Sequence, residues 1–534
     1  MNRRTFLGSM GALGLSALGA GAADAPGGER PNIIVILADD MGFSDIGCFG
    51  GEIETPNLDR FAAGGMRFTQ AYSCARCCPT RASLLTGLYP HQAGIGHMTN
   101  EADRRFDYGH PSYRGDLTWN SVTLAEVLGA AGYHTYMAGK WHVGTPRGMW
   151  PRDRGFEHYF GIIRGACNYF KPGPDKLLTL EDTPVEEVPE DFYTTNAFTN
   201  HAIRFIEAQT DDAPFFLYLA YNAPHWPLNA LPEDVEKYRQ RYGEGWDALR
   251  EERFKRQREM GMATEAWRLS PRDARVPPWS KLPERRREEL ALRMALYAAQ
   301  VDRMDQNIGR LADMLEKSGK LDNTLILFLS DNGACAEGKK FGGGPAKQLG
   351  TKEGYFLTYG RGWANASNTP FQRYKHWVHE GGIASPMIAH WPKGMKSALR
   401  GGICREAVHL IDFMPTLAEV ANAEYPEEFG GHRIPPMEGR PLSPLLRGEA
   451  PEPRTLFWEH EGNRAVRQGK WKLVSAHARG DKQWHLYDLE TDRSELNDLK
   501  KRHPERAHDL AARYAAWAER CGVLPWPVEK RPPA

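Results

Sequence analysis

The stretch Asn32-Ile33-Ile34-Val35-Ile36-Leu37-Ala38-Asp39-Asp40 runs from an unbroken apolar segment straight into two carboxylates. A strand with one face in water alternates apolar and polar side chains. This one does not, so it predicts a strand buried on both faces of a parallel or mixed sheet. Three more runs have much the same character: residues 134–138 (HTYMA), Phe215–Ala220 (FFLYLA) and Thr324–Ser330 (TLILFLS). Helical periodicity lies between and after them, over 121–131, 293–315 and 410–420. Strands alternating with helices predict an α/β layered fold.

The polar residues closing each run carry the chemistry. The first ends in Asp39-Asp40, the second in Lys140-Trp141-His142, the third in His225 and the fourth in Asp331-Asn332. Open α/β sheets bind ligands just beyond the carboxyl ends of their strands. Any one of these residues alone reads as a helix cap or a surface charge, but four strands delivering them to one edge read as one site. The paired oxygen donors Asp39/Asp40 and Asp331/Asn332 suit a hard divalent cation, Ca²⁺ or Mg²⁺, whereas zinc prefers His and Cys.

Composition narrows the class further. The 534 residues are 41% hydrophobic and 25% charged, which excludes disorder, collagen-like repeats and small disulfide scaffolds. Lys+Arg and Asp+Glu both number 68, so the basic excess of a nucleic-acid binder is missing and no nucleic acid is expected as a partner. Met1-Asn2-Arg3-Arg4-Thr5-Phe6-Leu7 opens a short, Gly-rich apolar run ending in Ala20-Gly21-Ala22. That pattern predicts a twin-arginine export signal over residues 1–22, handled by the Tat machinery. The run is too short to span a bilayer, and the expected destination is periplasmic or secreted, with no stable membrane insertion. Eight cysteines are few for an exported chain of this length, and their pairing cannot be read from spacing.

Three of those cysteines crowd into Cys74-Ala75-Arg76-Cys77-Cys78-Pro79-Thr80-Arg81, followed by Ala82-Ser83-Leu84-Leu85-Thr86-Gly87. Cys74-x-x-Cys77 has zinc-like spacing but no second pair at a suitable distance. A cysteine-phosphatase loop spaces Cys and Arg differently: Cys74 and Arg81 are seven apart here, Cys77 and Arg81 four. A Cys-His protease needs a thiolate and an imidazole brought together in space, which spacing cannot show.

C-x-P-[ST]-R followed by A-S-L-L-T-G resembles the signature of type I sulfatases, a family of the alkaline phosphatase superfamily. The resemblance runs from residue 31 to about 499, with motifs in the family's order. After Asp39-Asp40 and the cysteine segment come Gly139-Lys140-Trp141-His142, Ala223-Pro224-His225 and Ser330-Asp331-Asn332-Gly333. Lys375 comes next, shortly before Glu380-Gly381-Gly382. The resemblance implies a large mixed, mostly parallel sheet flanked by helices over residues 23–445. It also implies a smaller C-terminal α+β domain over 446–534, with an antiparallel sheet around Lys470-Trp471-Lys472-Leu473-Val474 and Leu486-Tyr487-Asp488-Leu489. Residues 435–453, dense in Pro and Gly, read as the connection.

The resemblance further implies that a formylglycine-generating enzyme oxidises Cys77 to formylglycine, an aldehyde that hydrates to a gem-diol. Asp39, Asp40, Asp331 and Asn332, with an oxygen of the modified Cys77, would hold Ca²⁺, with Mg²⁺ the alternative. Arg81 would orient the nucleophilic hydroxyl, and Lys140 and Lys375 would neutralise the sulfuryl oxygens. His225 would give a proton to the departing alcohol or phenol, and His142 would hold or deprotonate the second hydroxyl. The implied activity is hydrolysis of a sulfate monoester, arylsulfatase-type or on a sulfated glycan. Two rivals stand beside it: a phosphonate or phosphate ester hydrolase on the same scaffold, and a non-catalytic sulfated-glycan-binding protein.

Cys78 departs from the small Ser, Ala or Thr the family has more often after the modified cysteine, and it places a competing thiol beside Cys77 or Cys74. Residues 359–371 read as a Gly/Asn-rich loop forming a pocket wall that leads to Lys375. The charge-dense region 233–289 reads as solvated helix faces. Trp226 is balanced between substrate entrance and core, and His376 and His379 read as structural.

Overall fold

The four apolar runs lie side by side in the centre of one sheet. Their order is Thr324–Ser330, Asn32–Ala38, Phe215–Ala220 and His134–Lys140, all parallel. Register aligns their carboxyl ends, with Ala38 opposite Ser330, Leu37 opposite Ala220, and Ala220 opposite Gly139. The computed structural model describes residues 29–101, 103–338, 340–477 and 481–531, so the expected export signal over 1–22 lies outside the described residues.

The sheet has eleven strands among the described residues. Ala384–His390 runs antiparallel between Thr324–Ser330 and Met66–Tyr72, which makes the sheet mixed but mostly parallel, as the resemblance implied. Ile34 and Ile36 pack into one hydrophobic core while Ile33, Val35 and Leu37 pack into a second on the opposite face. This is why the run lacks polar alternation. Each fully buried aliphatic side chain of this kind stabilises by about 1.5–3 kcal/mol relative to exposure. Gly139 has φ +121°, and a Cβ there would come 1.9 Å from the Ala220 carbonyl oxygen, so only glycine lets the chain close on its neighbour just before Lys140.

Helices cover both faces. Leu124–Ala130 begins with a capping box between Thr123 and Glu126, and the 34-residue Glu284–Lys317 contains the periodicity over 293–315. Phe413–Ala421 forms most of the helix expected over 410–420.

Two expectations are corrected. Residues 359–371 are not a loop at the pocket: Gly360–Ser367 is a buried helix whose Trp363 packs on Trp246 and Trp279, with ring centroids 5.5 and 5.4 Å away. The polar residues hid an aromatic contact distant in sequence. In the charged region, Arg253 on helix Gly245–Glu259 is buried and donates to Asp45 at 2.7 Å and to both Glu52 oxygens at 2.7 and 2.9 Å. Only the opposite face of that helix, with Glu252, Lys255 and Glu259, is solvated.

At the C-terminal end, Thr455–His460, Asn463–Gln468, Trp471–Ala476 and Asp481–Asp488 form an antiparallel meander. Helix Pro504–Cys521 covers it, with Trp517 stacked on Phe457 at 5.2 Å. A buried ion network ties this unit to the large sheet. Glu380 accepts from Lys472 Nζ at 2.8 Å, Arg493 Nε at 2.9 Å and the Tyr72 hydroxyl at 2.9 Å. Burial opposes ionisation of Glu380, but Lys472 and Arg493 outweigh it and hold the carboxyl at about 2. Glu380→Ala would strand the buried Arg493 guanidinium and leave Lys472 with only Glu495, 2.9 Å away, and is expected to cost about 3–5 kcal/mol. A lowered thermal midpoint measures it; an unchanged midpoint would mean the network does not join the two sheets energetically.

Candidate active site

Register puts Asp39, Asp331 and Lys140 at one edge, and backbone bonds fix them there. The Asp331 N–H donates to Ala38 O at 3.0 Å and the Asp39 N–H to Ala223 O at 2.9 Å. Asp40 bends back with φ +67°, and its N–H donates to Asp331 Oδ1 at 3.1 Å. Left-handed backbone recurs nearby at Ala75, His142 and His376, a clustering of strain that folded chains keep where geometry serves a ligand.

Cys77 begins the helix Cys77–Thr86, whose residues are all buried. The Thr80 hydroxyl accepts from Cys74 N–H at 2.9 Å and donates to Asp331 O at 2.6 Å, stitching the helix to the strand end; Ser could make both bonds. Arg81, one turn after Cys77, donates to Lys140 O at 2.8 Å and to Asp331 Oδ2 at 3.2 Å, and lies 3.7 Å from Asp39 Oδ1. Lys140 Nζ bonds Asp39 Oδ2 at 2.6 Å. Lys375 Nζ lies 2.8 Å from both Asp40 oxygens and 3.3 Å from His225 Nε2. His225 donates from Nδ1 to Trp226 O at 2.7 Å, which leaves Nε2 facing Asp40 Oδ2 at 3.2 Å. Asn332 Nδ2 donates to Asp40 Oδ1 at 2.7 Å. All ten expected residues therefore converge.

Burial and charge set their protonation. Burial opposes ionisation of Asp39, but Lys140, His225 and Arg81 hold its carboxyl well below the usual range. Burial and the Asp39 carboxylate push Asp331 well up. Burial pushes His142 down to about 4, keeping the ring neutral at ordinary pH. Its two nitrogens lie 3.5 and 3.4 Å from Cys78 Sγ, and Cys78 Sγ is 4.0 Å from Cys77 Sγ. The Cys78 hydrogen bond lowers the Cys77 thiol well below its ordinary value despite burial, with Lys140, His142 and Lys375 adding to it. Burial and Cys77 raise Cys78. All eight cysteines are free thiols, and Cys74 turns away from Cys77 towards Ser83 Oγ at 3.4 Å, so the CxxC spacing builds no joint site.

The donors fit a hard divalent cation. Asp39 Oδ1 and Asn332 Oδ1 are buried oxygens without a hydrogen-bond partner, between carboxylates from two strands. Buried polar atoms are nearly always satisfied, so two idle oxygens in an all-oxygen set mark where an ion belongs. Asp39, Asp40 and His225 also present ligand atoms within 4.8 Å of one another, but His225 is engaged with Lys375 and Trp226, and a hard ion favours the oxygens.

Above these groups opens a cavity of about 170 Å³ with Cys77, Lys140, His142, His225 and Lys375 in its lining. Its wall includes Arg76, Arg164, Lys176, Trp226, Glu337 and Tyr355. Trp226 thus faces the entrance, its indole donating to Glu337 Oε2 at 2.7 Å. Sequence reasoning missed Glu337, Arg164, Lys176 and Tyr355, which lie in no motif and arrive on separate loops. Arg76 could have been noticed as the residue preceding Cys77.

Residues 31–423 match the family model Sulfatase, and residues 371–514 match N-sulphoglucosamine sulphohydrolase, C-terminal. The chain is 36% identical to an uncharacterised sulfatase of Schizosaccharomyces pombe, over 93% of this chain and 95% of that protein. It is 36% identical to an arylsulfatase of Klebsiella aerogenes, over 81% of this chain and 96% of that one. Among solved structures it resembles Ps i-CgsB in complex with k-i-k-neocarrahexaose, at 28% identity and TM-score 0.67 over 92% and 93% of the two chains.

Ca²⁺ is expected to raise the thermal midpoint of the protein, by the equivalent of about 2.7 kcal/mol at a hundred times its Kd. Asn332→Ala is expected to weaken that response in a calorimetric titration. An unchanged Ca²⁺ affinity would remove Asn332 from the ligand set.

Proposed function

The chain belongs to the sulfatase family and is a sulfuric ester hydrolase; on that premise we propose that Cys77, converted to formylglycine, is its nucleophile beside a Ca²⁺ ion (Mg²⁺ the alternative) held by Asp39, Asp40, Asp331 and Asn332. The observation that carries this reading is the charge balance at the cavity floor. Asp39, Asp40 and Asp331 are matched by Lys140, Lys375 and Arg81 through short buried contacts. Burial raises the Asp331 carboxyl, so a divalent cation bound there would displace its proton; with all three carboxylates then ionised, the cation, a monoester anion and an ionised hydroxyl together add no net charge, which limits the penalty of burying them. When bound, the cation draws in sulfuryl oxygens and lowers the pKa of a neighbouring hydroxyl, which hydrated formylglycine supplies.

The chain's own residues do the rest. Arg81 holds a fixed fork of donors one helical turn from Cys77, suited to orienting an oxygen nucleophile. Lys140 and Lys375 neutralise charge on the sulfuryl oxygens as the S–O bond breaks. His225, its Nδ1 engaged with Trp226 O, offers Nε2 to the leaving oxygen, with Lys375 Nζ 3.3 Å from that nitrogen. His142, neutral because it is buried, accepts a proton as the nucleophile is restored. Trp226 and Tyr355 with Arg164 and Lys176 suit a ring-bearing sulfate ester carrying further negative charge.

Maturation and export are part of the proposal. Cys77 is 2% exposed, so a formylglycine-generating enzyme must reach it before the helix packs. A twin-arginine signal carries folded cargo, so conversion would precede export to the periplasm or beyond. No helix among the described residues is long and apolar enough to cross a membrane.

The mass of the peptide containing Cys77, from protein made with a formylglycine-generating system, is the primary test. An aldehyde there is expected, whereas a thiol in active protein would overturn the mechanism. Cys77→Ala is expected to fold and lose essentially all sulfate-ester turnover, while Cys78→Ser keeps most of it. His225→Ala is expected to slow turnover by about 10²–10⁴-fold. The loss should be steepest for alkyl leaving groups and smallest for acidic phenols; an equal loss on both would deny His225 the proton-donor role.

A further inference from the structure

Immediately after Lys375 the chain turns through His376, whose backbone is left-handed at φ +84°. Facing it is the hairpin that joins Thr455–His460 to Asn463–Gln468, turning through Glu461 at φ +49° and Gly462. His376, His460 and Glu461 each present one ligand atom within 4.8 Å of the others. Glu461 Oε2 is 3.1 Å from His376 Nδ1, and Glu461 Oε1 is 3.7 Å from His460 Nε2.

His460 is the informative member. It is fully buried, and neither ring nitrogen has a hydrogen-bond partner. A buried imidazole with both nitrogens idle costs free energy unless something occupies them, and nearly all buried polar groups are satisfied. Its neighbours are already arranged around a common centre. His97 Nε2 bonds Glu461 Oε1 at 2.8 Å, and the His97 ring stacks on His460 with centroids 6.0 Å apart. Asn463 Nδ2 lies 3.4 Å from the far nitrogen of His376. Such outer contacts are what orient metal-binding imidazoles and carboxylates.

We propose that His376, His460 and Glu461 form a second metal site, for a zinc-class transition metal, distinct from the oxygen set at the strand ends. Tetrahedral zinc with bonds of about 2.0–2.1 Å places its ligand atoms roughly 3.4 Å apart; each imidazole lies near that distance from a Glu461 oxygen, His376 Nδ1 at 3.1 Å from Oε2 and His460 Nε2 at 3.7 Å from Oε1, and one ligand atom from each of the three residues lies within 4.8 Å of the others. Two imidazoles and one carboxylate favour Zn²⁺ over Ca²⁺ or Mg²⁺, and leave the fourth position for water. The site is reachable, since the side chains of His376 and Glu461 are 23% and 22% exposed. An ion here would pin the C-terminal hairpin to the residue next to Lys375.

The test is a calorimetric titration of the metal-stripped full-length protein with Zn²⁺ alone, in excess Ca²⁺ to fill the oxygen set, with bound zinc counted by elemental analysis. One tightly held Zn²⁺ per chain is expected. His376→Asn and Glu461→Gln, which nearly preserve volume, are each expected to weaken it at or beyond the upper end of the ~10–100-fold typical of outer-contact changes. Cys78→Ser is expected to leave it unchanged, because Cys77, Cys78 and His142 form a separate cluster of ligand atoms. No zinc uptake, or uptake that survives both His376→Asn and Glu461→Gln, overturns the proposal. Should Glu461→Gln fail to fold, His376→Asn on the partly exposed turn decides alone.

Discussion

Three buried carboxylates interleaved with three buried cations, Asp39 with Lys140, Asp331 with Arg81 and Asp40 with Lys375, are the constraint around which the molecule is arranged. Taking a single unpaired charge out of water is prohibitive, and a pair recovers its desolvation cost only with close geometry and further hydrogen bonds. The parallel register supplies that geometry, because it brings four strand ends level before any side chain is placed. The two large hydrophobic cores on either side of the sheet hold the register, since slipping one residue would exchange the faces of every strand.

The same lattice explains the local strain. Asp40 and His142 both stand in left-handed backbone two residues beyond strands that end at Ala38 and Lys140. Conformations of this kind cost about 1–3 kcal/mol each and survive only where surrounding contacts over-determine them. Thr80 provides one such contact, bonding Asp331 O from the helix that begins with Cys77. Cys77 itself is packed beneath this lattice at 2% exposure.

The C-terminal sheet is more than an appendage. Its Lys472, with Arg493 from the turn that follows the last strand, reaches Glu380, just past Lys375, and its hairpin places His460 and Glu461 against His376. Two separate polar clusters thus join it to the short segment that follows Lys375. Movement of this sheet would be felt at Lys375 through the segment that follows it, from His376 to Glu380.

Much of the molecule could be read from its residues. Apolar runs without alternation signalled strands buried on both faces, and the polar residues closing them marked the site edge, because both properties are local to a few consecutive positions. The family likeness rested on the same short motifs, and the ten residues drawn from them converge. What could not be read depends on contacts between segments far apart in the chain. The helix at Gly360–Ser367 looks like a polar loop until Trp363 meets Trp246 and Trp279. Arg253 looks solvated until Asp45 and Glu52 enclose it. His376 and His460 look like ordinary histidines until a hairpin turn brings Glu461 between them. Periodicity and motifs record what each segment needs buried or exposed; which distant segment satisfies that need is settled only when the chain closes on itself.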